Sequence, residues 1–179
     1  MQDTENKPSI IDENRLDFYF VFRWGQIHFI VINNVFTALR ILGEGFVETN
    51  DLDIDPDDTE KLDELKEQSL VLLYRLMFVL YAESRGLMQP DDPEAEAEYD
   101  ENFSLDQLRL EIDDRISSGD SYDDYSSYST TIWSQLQNLF SLVDTGNDDL
   151  GVPPYNGGLF DAEEHEFLAE NEVSDPYIT

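Results

Sequence analysis

The segment from Ser69 to Leu87 is apolar on every side of a helix, yet it contains three charged residues, Arg75, Glu83 and Arg85. A helix that is apolar all round belongs inside a protein, and a buried guanidinium without partners is strongly unfavourable. We therefore predict that this segment is the central helix of a larger assembly and that Arg75 forms an internal ion pair. Its all-round apolarity also indicates that part of its partner surface lies outside this chain. The charges, and fewer than about 18 uninterrupted apolar residues, argue against a membrane span.

The acidic composition indicates the ionic conditions in which the protein folds. Forty-one acidic residues against ten basic ones give a net charge of -31, far more than solubility requires of a domain this size. The carboxylates repel one another in dilute salt, whereas molar salt shortens the Debye length to roughly 3 Å. We interpret the composition as an adaptation to a salt-rich cytoplasm, with an acidic DNA mimic and a disordered acidic chain as alternatives. A hydrophobic content of 40%, with eleven Phe and nine Tyr, argues against global disorder.

Two further features restrict the class of protein. The chain has no cysteine, which excludes disulfides, thiol catalysis and cysteine-based zinc sites. Its first residues, Met-Gln-Asp-Thr-Glu, are polar and acidic where a signal peptide needs a basic region and an apolar run. We expect a cytoplasmic protein with a single modest core.

The chain divides by composition into residues 1–58, an aromatic-rich segment followed by an acidic linker, and residues 59–179, a helical module. Residues 26–32 have the β-branched content of a buried strand, while residues 33–42 have apolar residues at helical spacing. Helix is favoured throughout residues 16–42, and a strand at 26–32 stays an alternative. The aromatic residues of this region could supply much of a core: Phe18, Tyr19, Phe20, Phe22, Trp24, Phe29 and Phe36.

Capping patterns predict the central helix and its neighbours. Asp57 with Glu60, or Thr59, is predicted to begin the central helix, and Gly86 to end it in a left-handed conformation. Residues 90–102, rich in Pro, Asp and Glu, are predicted to form a mobile loop. The next helix is predicted to begin at Ser104 as N-cap.

That helix is expected to have a complete capping box with Gln107, a hydrophobic staple from Phe103 to Leu108, and an end at Ser118-Gly119. Another amphipathic helix is predicted from an apolar stripe that ends before Gly146: Ile132, Leu136, Leu139, Phe140 and Val143. Asp161 with Glu164 predicts a last short helix to about residue 170. The fold class is therefore predicted as mainly α, with four to five helices in an irregular bundle with acidic loops.

Two separated segments carry a family resemblance: Leu-Tyr-Arg-Leu-Met-Phe-Val-Leu-Tyr-Ala-Glu-Ser-Arg-Gly-Leu at 73–87, and Val-Pro-Pro-Tyr-Asn-Gly-Gly-Leu-Phe at 152–160. They resemble the helical region of type IIG-like restriction-modification enzymes, over roughly residues 60–170. In that family a nuclease domain, where present, comes first, a helical connector follows, and an adenine-specific DNA methyltransferase comes last. Two motifs in the right order are more specific than either one alone.

The resemblance implies a non-catalytic connector that positions methyltransferase and nuclease domains, in cis or in trans, and meets DNA only indirectly. S-adenosylmethionine and Mg²⁺ are implied for the full-length family, and no catalytic, cofactor or metal residue is expected in this chain. The family's cofactor-binding tract would follow Thr179, so a truncated or split piece is expected. The structural or docking candidates are Arg75, Tyr81, Glu83, Arg85, Tyr155, Asn156, Gly157 and Gly158.

Several apparent catalytic motifs fail on chemistry. The run from Val152 to Tyr155 matches the Asn/Asp-Pro-Pro-Tyr motif of amino-methyltransferases except at its first position, where a valine cannot accept the hydrogen bond of the target amine. Asp57, Glu64 and Lys66 match a PD-(D/E)xK nuclease site only in letters, since that Mg²⁺ chemistry needs neighbouring strands and a helix is predicted here. The glycine pair Gly43 and Gly45 lacks a strand-loop-helix context, and His28 and His165 lack a ligand pattern.

The adjacent glycines Gly157 and Gly158 permit positive φ; a structural turn is favoured over a loop that docks on a methyltransferase or approaches DNA. Direct DNA contact has little support, because phosphate binding relies on Lys and Arg and neither occurs after Arg115. For Arg85 two alternatives stand: a contact with DNA, or an ion pair with a carboxylate such as Glu83. The competing functions are an anti-restriction DNA mimic and a functionless gene remnant.

Overall fold

The computed structural model describes residues 34–121, 124–155 and 157–179. The chain divides into two units, residues 1–38 and 39–179, and nearly all the described residues belong to the second unit. Predictions made for the aromatic residues before 34, for His28 and for Asn156 lie outside the described residues.

The described residues form a mainly α-helical fold, as predicted. Helix is confirmed over 34–42, the described part of the N-terminal prediction. No helix in the described ranges is both long and apolar enough to cross a membrane. The elements are α1 (34–50), α2 (Thr59–Ser84), α3 (Pro93–Asn102), α4 (Leu105–Ser117), α5 (Thr131–Thr145), α6 (Glu166–Glu170), a 3-10 turn (Asp175–Tyr177) and an isolated antiparallel bridge between Asn147 and Val152.

The central helix α2 begins one residue away from the predicted cap. Its N-cap is Asp58, whose Oδ1 accepts a hydrogen bond from the Lys61 N–H at 3.2 Å, so the choice of Asp57 or Thr59 was wrong. The other end is as predicted: Gly86 has φ of 66°, and the Leu87 N–H donates to the Ala82 carbonyl at 2.9 Å. This is the hydrogen bond of a Schellman motif, which needs a left-handed residue just past the helix.

The predicted mobile loop at 90–102 is wrong, since most of it is helix α3. Asp92 is the N-cap and accepts hydrogen bonds from two backbone N–H groups, Pro93 occupies the first turn, and Tyr99 is buried. Proline in the first turn is compatible with a helix because its missing N–H has no intrahelical partner there. The acidic and proline content that indicated a loop is therefore a helix start followed by good helix formers.

Helix α4 begins at the predicted N-cap, where Ser104 Oγ accepts from the Gln107 N–H at 3.3 Å. The reciprocal half of the capping box is replaced, because the Ser104 N–H donates to the Tyr99 carbonyl at 3.0 Å. Phe103 stacks on the Tyr99 ring, with centroids 6.3 Å apart. The end is as predicted, with Ser118 as C-cap and Gly119 at φ of 110°.

The core of the second unit is centred on α5. All five residues of its predicted stripe are buried, together with Trp133. Phe46 of α1 makes edge contacts with Trp133 at 5.6 Å and with Phe167 of α6 at 5.2 Å between ring centroids. A Cβ added to Gly45 would lie 2.6 Å from Tyr177 Cβ, so this glycine allows close packing of α1 on the C-terminal turn.

The predicted cap of the last helix was wrong. Asp161 Oδ1 accepts from the Glu163 N–H at 2.8 Å and closes a local turn, and α6 begins only after His165. An aspartate that bonds the backbone two residues on favours a turn over a helix start. The C-terminal segment is held by Asn50 of α1, which donates to the Glu172 carbonyl at 2.8 Å and accepts from its N–H at 3.0 Å.

Candidate functional site

The segment after α5 turns back towards α2 through a tight reversal. Gly146 ends α5 with φ of 71°, and a Cβ there would lie 2.7 Å from Pro154 N. Asn147 and Val152 then exchange two backbone hydrogen bonds of 2.8 and 3.0 Å. Because no side chain fits at Gly146, the proline pair packs directly on the helix end and the following residues reach α2.

Tyr155 fixes the loop against both neighbouring helices. Its N–H donates to the Val143 carbonyl of α5 at 2.8 Å, and its hydroxyl donates to the Leu87 carbonyl, just past α2, at 2.7 Å. Its ring meets Phe78 of α2 edge-on, with centroids 5.7 Å apart. The two segments at 73–87 and 152–160 are therefore in direct contact.

Arg75 is the centre of this contact and is only 3% exposed. Its Nε donates to the Leu159 carbonyl at 2.7 Å, and its guanidinium carbon lies 5.3 Å from the Phe140 ring centroid and 5.7 Å from that of Phe160. The predicted ion pair is wrong, because no carboxylate of the described residues lies within ion-pairing distance. The negative faces of two aromatic rings take the place of a carboxylate.

This environment leaves Arg75 incompletely compensated. Its Nη2 has no hydrogen-bond partner among the described residues. Desolvation lowers the pKa of Arg75 to about 10, and the more distant Asp144 carboxylate opposes that change. The side chain is still charged at neutral pH, so the structure contains a buried cation held by one carbonyl and two rings.

Glu83, on the same helix, is surrounded by donors. Its carboxylate accepts from the Leu105 and Asp106 N–H groups at 2.8 and 2.9 Å and from the Tyr99 hydroxyl at 2.8 Å. These two N–H groups belong to the first turn of α4, where the helix dipole favours negative charge. Glu83 thus caps α4 from a different helix, in addition to the local cap Ser104.

The surroundings of Tyr99 raise the pKa of its hydroxyl group. Burial, and then the charge of the adjacent Glu83 carboxylate and the hydrogen bond to it, raise the pKa of Tyr99 above its ordinary value near 10. A cleft of about 310 Å³ opens beside this pair between α2, α3 and α4. Carboxylates contribute much of its polar lining: Glu83, Glu96, Asp100 and Asp106.

The sequence reasoning missed a second carboxylate with the same role. Asp175 is 6% exposed and accepts from the Ile132 N–H at 3.0 Å and from the Ser129 hydroxyl at 2.6 Å. It caps α5, whose own N-cap Thr130 makes no side-chain capping bond. Neither Asp175 nor Tyr99 carried a local signal, because each acts on residues distant in the chain.

The remaining candidates do not join one site. Tyr81 is 60% exposed, and the guanidinium of Arg85 lies over its ring at 6.0 Å. Gly158 has φ of 69°, in agreement with the favoured structural turn, and Gly157 is exposed. The candidates therefore divide into a buried contact around Arg75 and Tyr155, a helix cap at Glu83, and an exposed pair.

The structure also locates the residues of the apparent nuclease and methyltransferase motifs. Glu64 and Lys66 lie on α2, as predicted, and Lys66 pairs with Asp63 at 3.4 Å. Val152 is buried in the bridge to Asn147. Within 34–121, 124–155 and 157–179, no three His, Cys, Asp or Glu residues are placed to hold a metal ion.

Comparison of the chain with protein-family models, with curated proteins and with solved structures finds no match.

Proposed function

We propose that this chain is a non-catalytic helical connector that positions the domains of a restriction-modification DNA methyltransferase system, in defence against foreign DNA. One observation carries the proposal: the two segments that resemble type IIG-like enzymes, 73–87 and 152–160, form one interlocked contact through Arg75, Phe78 and Tyr155. Sequence features far apart that meet in space behave as one structural unit, which supports the interpretation of both as parts of a single module.

The use of charge in the described residues supports a structural role. Arg75 is buried beneath the loop, and Glu83 is occupied by three hydrogen bonds that stabilise α4. A general acid, base or nucleophile needs access to substrate, and Arg75 lacks it. We place S-adenosylmethionine and Mg²⁺ in the partner methyltransferase and nuclease domains, which the connector meets in cis or in trans, and we place DNA in contact with those domains.

Two assays test this function. The purified chain, in molar KCl with Mg²⁺ and S-adenosylmethionine, is expected neither to methylate nor to cleave DNA, and either activity would contradict the proposal. A methyltransferase core encoded beside the gene is expected to copurify with the chain. A native preparation that contains no methyltransferase domain, either in the same polypeptide or as a bound partner, would also overturn it.

An acidic DNA mimic is the second candidate, favoured by the net charge of -31. The response to salt distinguishes a connector from a DNA mimic. A connector from a salt-rich cytoplasm gains structure as KCl rises to molar levels, because the Debye length contracts to roughly 3 Å and carboxylate repulsion falls. A mimic folds in dilute buffer and binds a nuclease there. Circular dichroism against KCl concentration, with a nuclease-binding assay in dilute buffer, separates them.

A further inference from the structure

The side of α2 that faces solvent carries large apolar side chains in a row. Tyr74, Met77 and Tyr81 are 52%, 59% and 60% exposed, and the half-buried Leu70 lies four residues before Tyr74 at helical spacing. Spacings of four, three and four residues place these four side chains along one seam of a helix, as in a coiled coil. We call them the α2 seam.

The charge pattern around the α2 seam differs from the rest of the chain. No Asp or Glu occurs from Ser69 to Ala82, although 41 of 179 residues are acidic. The exposed charges lie at the two ends. Before the seam are Glu67 and the mutually paired Asp63 and Lys66, and after it is Arg85, with its guanidinium 6.0 Å from the Tyr81 ring. Within the described residues Arg85 forms no ion pair.

We propose that the α2 seam binds a second copy of this chain, with the two α2 helices antiparallel. A two-fold axis near the middle of the seam places Arg85 of each copy opposite Glu67 of the other, and Leu70 opposite Tyr81. A parallel pair would instead place like charges together. The seam is thus complementary in charge to itself in one orientation only, and complementary charges at the ends of an apolar seam set helix orientation.

Salt sets the conditions for this dimer. Each copy has a net charge of -31, so dilute buffer opposes association. Molar KCl shortens the Debye length to roughly 3 Å, which screens this long-range repulsion more than a direct contact between Glu67 and Arg85. A single helix pair buries an area near the lower limit of specific interfaces, roughly 1,000 Å², so the dimer is reversible. This inference goes beyond the connector function and does not depend on it.

Sedimentation equilibrium of the full chain in molar KCl tests the association. The wild-type chain is expected to dimerise, and Met77→Glu is expected to weaken the dimer by at least tenfold in dissociation constant without loss of helical circular dichroism. Tyr128→Glu is the control, because Tyr128 is 97% exposed and belongs to the loop before α5 and not to α2, and this variant should dimerise like the wild type. A chain that stays monomeric into the millimolar range, or a dimer indifferent to Met77→Glu, overturns the proposal.

Crosslinking tests the orientation, since the chain has no native cysteine. Glu67→Cys and Arg85→Cys are prepared as separate variants and oxidised alone and mixed. Antiparallel helices bring positions 67 and 85 of different copies within the roughly 7 Å that a disulfide spans between Cα atoms, so only the mixture should give a crosslinked dimer. Crosslinking of each variant alone, or of neither preparation, contradicts the antiparallel arrangement.

Discussion

Arg75 and Glu83 are charged residues of the same helix, and their surroundings differ sharply. Arg75, in the middle of α2, has one carbonyl and two aromatic rings, whereas Glu83, in the last turn, has three hydrogen-bond donors. The difference follows from what each position can reach. A helix start offers unpaired N–H groups to a carboxylate, while the packed middle of a bundle offers mainly side chains.

Replacement of Arg75 should give the largest effect. Arg75→Ala is expected to lower the free energy of unfolding by about 3–5 kcal/mol, because it leaves a cavity between Phe140 and Phe160 and removes the donor to the Leu159 carbonyl. Arg75→Met restores volume and removes a desolvated charge, so a loss of about 1–2 kcal/mol is expected. Urea unfolding in molar KCl measures both. Equal losses for Ala and Met would show that the charge, and not the packing, dominates this site.

Replacement of Glu83 should cost somewhat less. Glu83→Ala removes a carboxylate that serves three donors, and we expect a loss of about 2–4 kcal/mol. Glu83→Gln keeps the shape and one acceptor, so about 1–2 kcal/mol is expected. The control is Glu64→Ala, an exposed position of α2, which should stay within about 0.5 kcal/mol of the wild type. If Glu83→Ala behaved like this control, the remote cap would have no energetic role.

The hydroxyl that joins Tyr99 to Glu83 should appear in the pH dependence of stability. The pKa of Tyr99 is raised in the folded state, so the folded protein retains this proton after the unfolded chain loses it. The associated stability is complete below about pH 10 and falls by about 1.4 kcal/mol per pH unit above it.

Tyr99→Phe should therefore cost about 1 kcal/mol at neutral pH and flatten the decline between about pH 10 and 11. Two other groups titrate in this range with opposite effects: the pKa of Tyr177 is raised by burial, which adds to the decline, whereas the pKa of Arg75 is lowered to about 10, which opposes it. The contribution of Tyr99 is therefore the difference in slope between the variant and the wild type. Urea midpoints across this range provide the measurement. If the free energy of unfolding of the variant fell with pH as steeply as that of the wild type, Tyr99 would not contribute to the alkaline loss of stability.

The smallest effect is expected at the local cap of α4. Ser104 satisfies only the Gln107 N–H, while Glu83 already serves Leu105 and Asp106. Ser104→Ala should therefore cost about 0.5–1 kcal/mol, less than Glu83→Ala in the same assay. The reverse order would mean that α4 depends on its local cap more than on the carboxylate from α2.

The sequence predicted the features whose causes lie within a few residues. The ends of α2 and α4 at Gly86 and Gly119, the cap Ser104 and the buried stripe of α5 are all local patterns. The failures at Asp58 and Asp161 concern which of several adjacent polar residues bonds the backbone. Helix α3 was missed because its composition of proline and acidic residues is shared by loops and helix starts.

The candidate site was less predictable because its contacts cross the chain. Glu83 meets Leu105 at a separation of 22 residues, Asp175 meets Ile132 at 43, and Arg75 meets Leu159 at 84. Glu83 was noticed as a charge in an apolar helix, but no local rule reveals that it, or Asp175, among 41 acidic residues caps a different helix. Tyr81 and Arg85 were found as candidates, but the α2 seam is revealed only by the exposure of Tyr74, Met77 and Tyr81.

The sequence alone determined a mainly helical, strongly acidic chain with an apolar central helix, because helix periodicity, capping and net charge are local or additive properties. The tertiary structure decided that Arg75 lies between two rings and beneath a carbonyl, that Glu83 and Asp175 cap helices other than their own, and that Tyr74, Met77 and Tyr81 stay exposed. These outcomes depend on which surfaces of the packed helices meet. Many residues of this chain have the same local sequence character. Helix packing places hydrogen-bond donors next to some of them and leaves others exposed to solvent.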